Sequence, residues 1–345
     1  MAAKVSIKEI ASKANVSIAT VSYVLNGKRN VKPATRDRVL KVVEELNYMP
    51  NEIAKSLKNK KTNTIGVIAE DVTVFNVPEI IDGIHDYADS NDLHIILTNL
   101  RLHKRVGHRY ADVGAYRKYA DNAVNNLLAK QVDGIIYIGI HPRDVTGLVD
   151  VRGTPIVYTY CYTENDPSIK YNDEQASYDA VRHLVEQGHR RIAVITGRMD
   201  SIPSRMRFNG YYKAIMEYEL PFEPQYIKVG DWGLESGLKL THELLGLEQP
   251  PTAVLVMNDV MAVGTLRAAR EKGVAVPEQL SIIGFDNREF SNYLQPRLTT
   301  MDLPLHEMGE LAVHSLLRLI NNEEVGTLRE PACVLLERES VMKMN

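Results

Sequence analysis

Between Ser6 and Asn30 the chain sets hydroxyl and methyl-bearing side chains at the heads of short helical repeats. Ser6 and Glu9 spell an S-x-x-E capping box, in which each residue satisfies the other's orphan backbone N–H. Ile7, Ile10, Ala11 and Ala14 recur at helical spacing, Asn15 suits a tight turn, and Ser17 is a natural N-cap for a second helix. Val21, Val24 and Leu25 of that second helix face back onto the first, and Asn26-Gly27 stops it. Two short helices across a tight turn form the helix-turn-helix pattern, whose second helix lays its N-terminal residues against base edges in the DNA major groove. Ile18 and Ala19 stand at that start. They can touch thymine methyls but cannot form the paired hydrogen bonds that read guanine or adenine, so groove shape should carry part of the recognition. Ser17, Thr20, Ser22, Asn26 and Asn30 suit phosphate or mixed contacts. Ser6, Tyr48 and Lys55 complete the DNA contacts expected of the residues before the core, together with two residues taken up below.

The elements that must hold these residues follow directly. A third helix is predicted from Pro33 to Leu46, with proline in its first turn and Val39, Val42, Val43 and Leu46 as its buried stripe. Residues 51–58 spell two further turns of helix, too short to be stable alone, and a polar tract runs from Asn59 to Asn63. Charge divides at the same place. Residues 1–61 carry 13 Lys or Arg against 5 Asp or Glu, and the rest carries 28 against 39, so a net charge of −3 hides a basic head on an acidic body. A basic face on a helix-turn-helix is the electrostatic footprint of phosphate binding.

From Thr64 the pattern becomes short apolar strands alternating with amphipathic helices, beginning with Ile65–Ala69 and running to Leu280–Gly284. It restarts after Tyr162, which predicts two parallel sheets, each covered by helices on both faces. The 345 residues and 44% hydrophobic content allow more than one domain with a sizeable core. No apolar run approaches a membrane span. The first residues lead into a polar amphipathic helix rather than a signal peptide, so a cytoplasmic protein is expected. The two cysteines, Cys161 and Cys333, offer neither metal spacing nor a disulfide framework.

The run VSIKEIASKANVSIATVSYVLNG, then LNYMPNEIAKSLK, then TNTIGVI resembles the lac/gal repressor family of bacterial transcription regulators. The resemblance implies an all-α helix-turn-helix head (1–49), a hinge helix and linker (50–63) and an effector-binding, dimerising α/β core (64–345). The core would comprise two doubly wound parallel-sheet subdomains like those of type I periplasmic binding proteins. Their expected extents are about 64–160 with 293–320, and about 163–289 with 323–340. Crossings between them are expected near 161–163, 289–293 and 321–323, with the strand Leu298–Met301 and the helix His306–Ile320 returning to the first subdomain. Ile18, Ala19 and Tyr23 match the family's specificity positions, and Leu57 matches the hinge leucine that wedges into the minor groove.

The same resemblance places a small molecule, expected to be a sugar or sugar derivative, between the subdomains at the carboxyl ends of the strands. Arg207 falls in a segment resembling R-x-R-x-x-G-[FWY], Asn258 in a turn resembling (A/C)-x-N-D, Asp286 in a turn resembling G-[FY]-D-[DN], and Trp232 in a segment resembling D-[WF]. Arg and Asp suit neighbouring hydroxyls, and an indole face packs on the C–H side of a sugar ring. In the first subdomain Tyr160 stands where the lac repressor has an acidic contact, and Phe75 lies near the usual aromatic position. Residues Leu100–Tyr119 exceed the family norm and read as a surface insertion rather than a cleft wall or a partner contact. No leucine-heptad tail follows the core, so a homodimer is expected. The function implied is repression of operator DNA under small-molecule control, with no catalytic residue, no metal, no cofactor and no membrane partner. The alternative is a catabolite-control regulator whose corepressor is a phosphorylated carrier protein. An exported sugar receptor fits the basic head less well. A sugar-converting enzyme lacks any nucleophile-elbow, metal-spaced or phosphate-loop signature.

Overall fold

The computed structural model describes residues 5–25, 27, 30–48, 61–106, 113–326 and 328–344. The chain divides into two compact units, Met1–Thr62 and Asn63–Asn345. Among the site residues expected from sequence, Asn26, Lys55 and Leu57 lie outside the described residues, as does the expected hinge helix.

In the head, α1 (Ile7–Lys13), α2 (Ile18–Leu25) and α3 (Pro33–Glu45) pack around Ile10, Ala14, Val21, Val24, Val39 and Val42. The capping box forms, with the Ser6 N–H donating to Glu9 Oε2 at 2.6 Å and the Glu9 N–H to Ser6 Oγ at 3.4 Å. Asn15 takes the left-handed turn at φ +49°, a conformation that asparagine tolerates.

In the second unit, β1 (Thr64–Ala69), β2 (His94–Asn99), β3 (Gly134–Ile138), β4 (Ile156–Thr159) and β5 (Ser168–Ile169) form a parallel sheet in the order β2-β1-β3-β4-β5. Helices α4 (Asn76–Asp89), α5 (Leu102–Val106) and α6 (Arg117–Ala129) belong to this first lobe. The second lobe follows with α7 (Asp173–Glu186), β6 (Ile192–Thr196), α8 (Ile202–Glu217), β7 (Ile227–Val229), α9 (Leu234–Leu245), β8 (Ala253–Val256), α10 (Asp259–Glu271), β9 (Ser281–Phe285) and β10 (Thr299–Asp302). The chain then returns to the first lobe as α11 (Leu305–Ile320), which packs on α4, β3 and β4, before β11 (Val334–Leu336) closes the second sheet antiparallel to β10. The second sheet runs β11-β10-β9-β8-β6-β7. Apart from β11, it repeats the strand order of the first. Each lobe therefore has a point where the strand order reverses, the place at which doubly wound sheets bind ligands.

Two expected crossings move. The strand at 299–302 does not return to the first lobe: it pairs with β9 through Thr299↔Ile283 and Thr300↔Gly284. Its polar side chains are tied into the second lobe, since the Thr300 hydroxyl donates to Asp259 Oδ1 at 2.7 Å and the Thr299 hydroxyl accepts from the Arg338 N–H at 2.9 Å, while the Thr299 N–H donates to Ser340 Oγ at 2.8 Å. The chain also stays in the first lobe beyond residue 163, because β5 adds to the edge of β4 through Tyr158↔Ser168. The described parts of the segment 100–119, residues 100–106 and 113–119, are more than a surface insertion. Leu100, Leu102, Val106 and Tyr116 are buried in a core with Ile68, Ile135, Tyr137 and Tyr158.

Candidate functional site: a DNA-facing helix and an interlobe charge cluster

On the head, α2 turns Val21 and Val24 inward and leaves Ile18 45% and Tyr23 44% exposed, with Ala19 exposed beside them. Ser17 caps the helix: its Oγ accepts from the Thr20 N–H at 3.1 Å and lies 2.9 Å from the Thr20 hydroxyl. Asn30 is exposed and Ser22 is half-buried, whereas Tyr48 packs its ring against the head's core. The three residues expected to read bases thus share one open helical face whose inner side is fixed by valines.

In the core the cluster is built on a helix crossing. A Cβ at Gly210 of α8 would lie 2.0 Å from the Glu174 carbonyl oxygen of α7, so only glycine lets these helices touch. That contact brings Asp173, in the first turn of α7, against Arg207, one turn before Gly210. Arg207 is 2% exposed. Its Nε donates to Asp173 Oδ1 at 2.6 Å, its Nη1 to the Met257 carbonyl and to Asp286 Oδ1 at 3.4 Å, and its Nη2 to the Tyr171 hydroxyl at 3.2 Å. The guanidinium carbon sits 3.7 Å from the Phe285 ring centre and 5.9 Å from that of Trp232, so aromatic faces also hold the cation.

One cation here faces two buried carboxylates. Asp173 takes the shorter bond. Burial pushes Asp286 up to about 8, with Arg207 pulling against it and Asp259 adding to the rise. Burial also raises Asp173, against the pull of Arg207. Asp286 is held at φ +101°, strained for a residue with a side chain, as is common at functional positions. Asn258 caps α10, accepting from the Met261 N–H at 2.8 Å, and donates its amide to the Trp232 carbonyl at 3.1 Å. The Trp232 indole covers Gly197, where a Cβ would lie 2.1 Å from its ring. The structure therefore brings Arg207, Asn258, Asp286 and Trp232 together at the carboxyl ends of β6 to β9.

Tyr160, from the end of β4, joins them from the first lobe with its hydroxyl 3.4 Å from that of Tyr171. Phe75 stands at the head of α4, further along the interlobe face, with the Arg288 guanidinium carbon 4.9 Å from its ring centre. Sequence reasoning missed Asp173, Tyr171 and Phe285 in the cluster. It also missed Asp259, which holds the β9 and β10 ends together: its Oδ2 accepts from the Arg288 N–H at 2.8 Å, and a Cβ at Gly284 would lie 2.2 Å from its Oδ1. A third omission is a buried network in the first lobe. There Glu70 accepts from Arg143, from the Tyr137 hydroxyl at 2.7 Å and from the Ile140 N–H at 2.9 Å, while Arg143 donates to the Tyr116 hydroxyl at 2.6 Å.

Between the lobes a cavity of about 300 Å³ opens beside the cluster. Tyr160, Tyr171, Asp173, Met206 and Met308 are among the residues that line it. Among the described residues, no helix is long and apolar enough to cross a membrane.

A three-helix head with an exposed recognition face, joined to two doubly wound lobes around a charged cleft, defines a DNA-binding protein with a ligand-sensing core. Residues 6–51 match the family described as bacterial regulatory proteins, lacI family, and residues 181–341 match a periplasmic binding protein-like domain. The chain is 36% identical to catabolite control protein A of Priestia megaterium, over 94% of this chain and 95% of that one. It is 35% identical to the ribose operon repressor of Haemophilus influenzae, over 98% and 99%. The lac repressor dimer bound to operator and the anti-inducer ONPF superposes with a TM-score of 0.78 at 30% identity, covering 98% of this chain and 99% of that one. The chain belongs to the lacI family and is a transcriptional regulator with an effector-binding core.

Proposed function

We propose that this chain acts as a homodimeric repressor whose operator affinity is set by a small molecule, a sugar or sugar derivative, bound between the two lobes, and that it carries out no catalysis. The observation that carries the reading is the pairing of an open Ile18–Ala19–Tyr23 face on α2 with an interlobe cavity lined by Asp173, the ion-pair partner of the buried Arg207. Two copies of α2 would enter successive major grooves of a pseudo-palindromic site. A ligand shifts the equilibrium only through its differential affinity for two core states, with a coupling of roughly 1–3 kcal/mol typical. The covalent link by which the core can act on the head is the segment 50–63.

Selection of bound sequences from random DNA, with and without candidate sugars, tests this reading. It expects one two-fold-related site whose enrichment changes with at least one sugar. Tyr23→Ala should relax the selected consensus, and a consensus left unchanged by it would remove Tyr23 from base reading. A second reading is favoured by the likeness to catabolite control protein A: a phosphorylated carrier protein as corepressor. Retention of this chain by that phosphoprotein, and not by its unphosphorylated form, would favour it.

A further inference from the structure

We infer that the first lobe carries a DNA contact of its own, a basic surface on α5 and the start of α6 that grips backbone phosphates without reading sequence. It goes beyond the readings above, which place every DNA contact in the residues before the core. Arg101, Lys104 and Arg105 on and just before α5, and Arg117 and Lys118 in the first turn of α6, are all exposed. They are five of the 28 Lys or Arg in residues 62–345, a body that carries 39 Asp or Glu. Yet residues 100–106 and 113–119 contain no acidic residue. No carboxylate among the described residues pairs with any of the five. The nearby Asp71 is buried and already committed, its Oδ2 accepting from the His103 N–H at 2.9 Å and its Oδ1 from the Thr73 hydroxyl at 2.7 Å.

The surface is anchored from below. Leu102 and Val106 of α5 and Tyr116 and Ala120 beside α6 are buried in one core, so the two basic stretches are held at fixed positions. Above that core the Arg105 guanidinium carbon lies 4.1 Å from the Tyr119 ring centre, a cation–π contact that joins α5 to α6. Five unpaired cations crowded on one surface repel one another, and an extended anion relieves that repulsion. The composition selects which polyanion. Docking sites for proteins have an apolar centre inside a polar rim, whereas here Tyr119 is the one large apolar side chain left exposed among the described residues of the stretch, and Arg105 covers it. Arginine and lysine without an apolar centre suit a phosphate backbone, whose charge is dense and regularly spaced.

Fluorescence anisotropy of the full-length chain with a labelled duplex of arbitrary sequence, at several salt concentrations, tests this. One variant replaces Arg101, Lys104, Arg105, Arg117 and Lys118 together by Gln; a second replaces only the three arginines, by Lys. Each phosphate contact adds about 0.9 to the steepness of log K against log salt. The Gln variant should therefore bind about tenfold or more weakly at low salt and lose roughly 3 to 4 from that slope, while the Lys variant keeps both. Both should melt near the wild type, and the sequence selected from random DNA should be the same for all three, since phosphate contacts carry no sequence information. A Gln variant with an unchanged slope, or one whose selected sequence changes, would overturn the inference. So would a loss of binding shared by the Lys variant, which would point to damaged packing. Labelled poly-L-glutamate supplies the other arm: capture of it by the wild type and not by the Gln variant, with the DNA slope unaltered, would assign the surface to an acidic protein instead.

Discussion

The two lobes share a strand order but not a chemistry. At the carboxyl ends of the second lobe's strands lie an arginine, two carboxylates and an indole, held at fixed distances by a helix crossing and by Asp259. At the matching ends of the first lobe lie tyrosines, and the charge is withdrawn inward as a Glu70–Arg143 pair with Glu70 fully buried. The contrast suggests a division of labour: the second lobe supplies a preset polar wall, and the first lobe shapes what can lie against it. Both lobes bury an ion pair, so substitutions in each should separate stability from ligand response.

The largest effect is expected from Arg207→Met. It leaves Asp173 buried beside Asp286 without a cation, which should cost roughly 3–5 kcal/mol by urea denaturation and abolish the effect of any ligand on operator binding. Arg143→Met strands Glu70 in the same way and should cost a similar roughly 3–5 kcal/mol, while ligand response survives at temperatures where the variant is folded. Equal loss of response in both variants would erase the distinction between the lobes.

Gly210→Ala is expected to be smaller in stability, about 1–3 kcal/mol, because α7 and α8 must part. Since that crossing sets the Asp173–Arg207 contact, ligand affinity should fall as well; a variant destabilised but normal in binding would show that the contact does not depend on the crossing.

The smallest effect concerns pH. Asp286 is raised to about 8 from an ordinary value of about 4. Between those values the unfolded chain has released a proton that the folded chain retains, so stability falls as pH rises. Asp286→Asn does not titrate. Its melting temperature relative to wild type should therefore climb from pH 5 to pH 8, and a constant difference would show that Asp286 ionises normally.

How much of this was legible beforehand follows from the kind of signal each residue leaves. The capping box, the Asn15 turn and the valine-backed α2 are local, and local spacing reveals them. Arg207, Asn258, Asp286 and Trp232 sit in short motifs and were found as a set. Asp173 and Glu70 were not, because a charged residue after a strand looks like solvent-facing loop until Gly210 or Tyr116 shows what covers it. β5 and β11 have two and three residues, too few for any periodicity. The strand Leu298–Met301 was expected in the first lobe, yet it pairs with β9 in the second, where Asp259 and Ser340 satisfy the buried Thr300 and Thr299. Polar partners distant in sequence decided where that strand belongs.

The most direct test is operator affinity by fluorescence anisotropy for the wild type and the Arg207→Met variant, each with and without a panel of sugars and sugar derivatives. At least one compound should shift the wild-type Kd by roughly 5- to 150-fold, and the variant should bind operator with no shift at all. A variant that responds as the wild type does, or a wild type indifferent to every compound, would contradict the account.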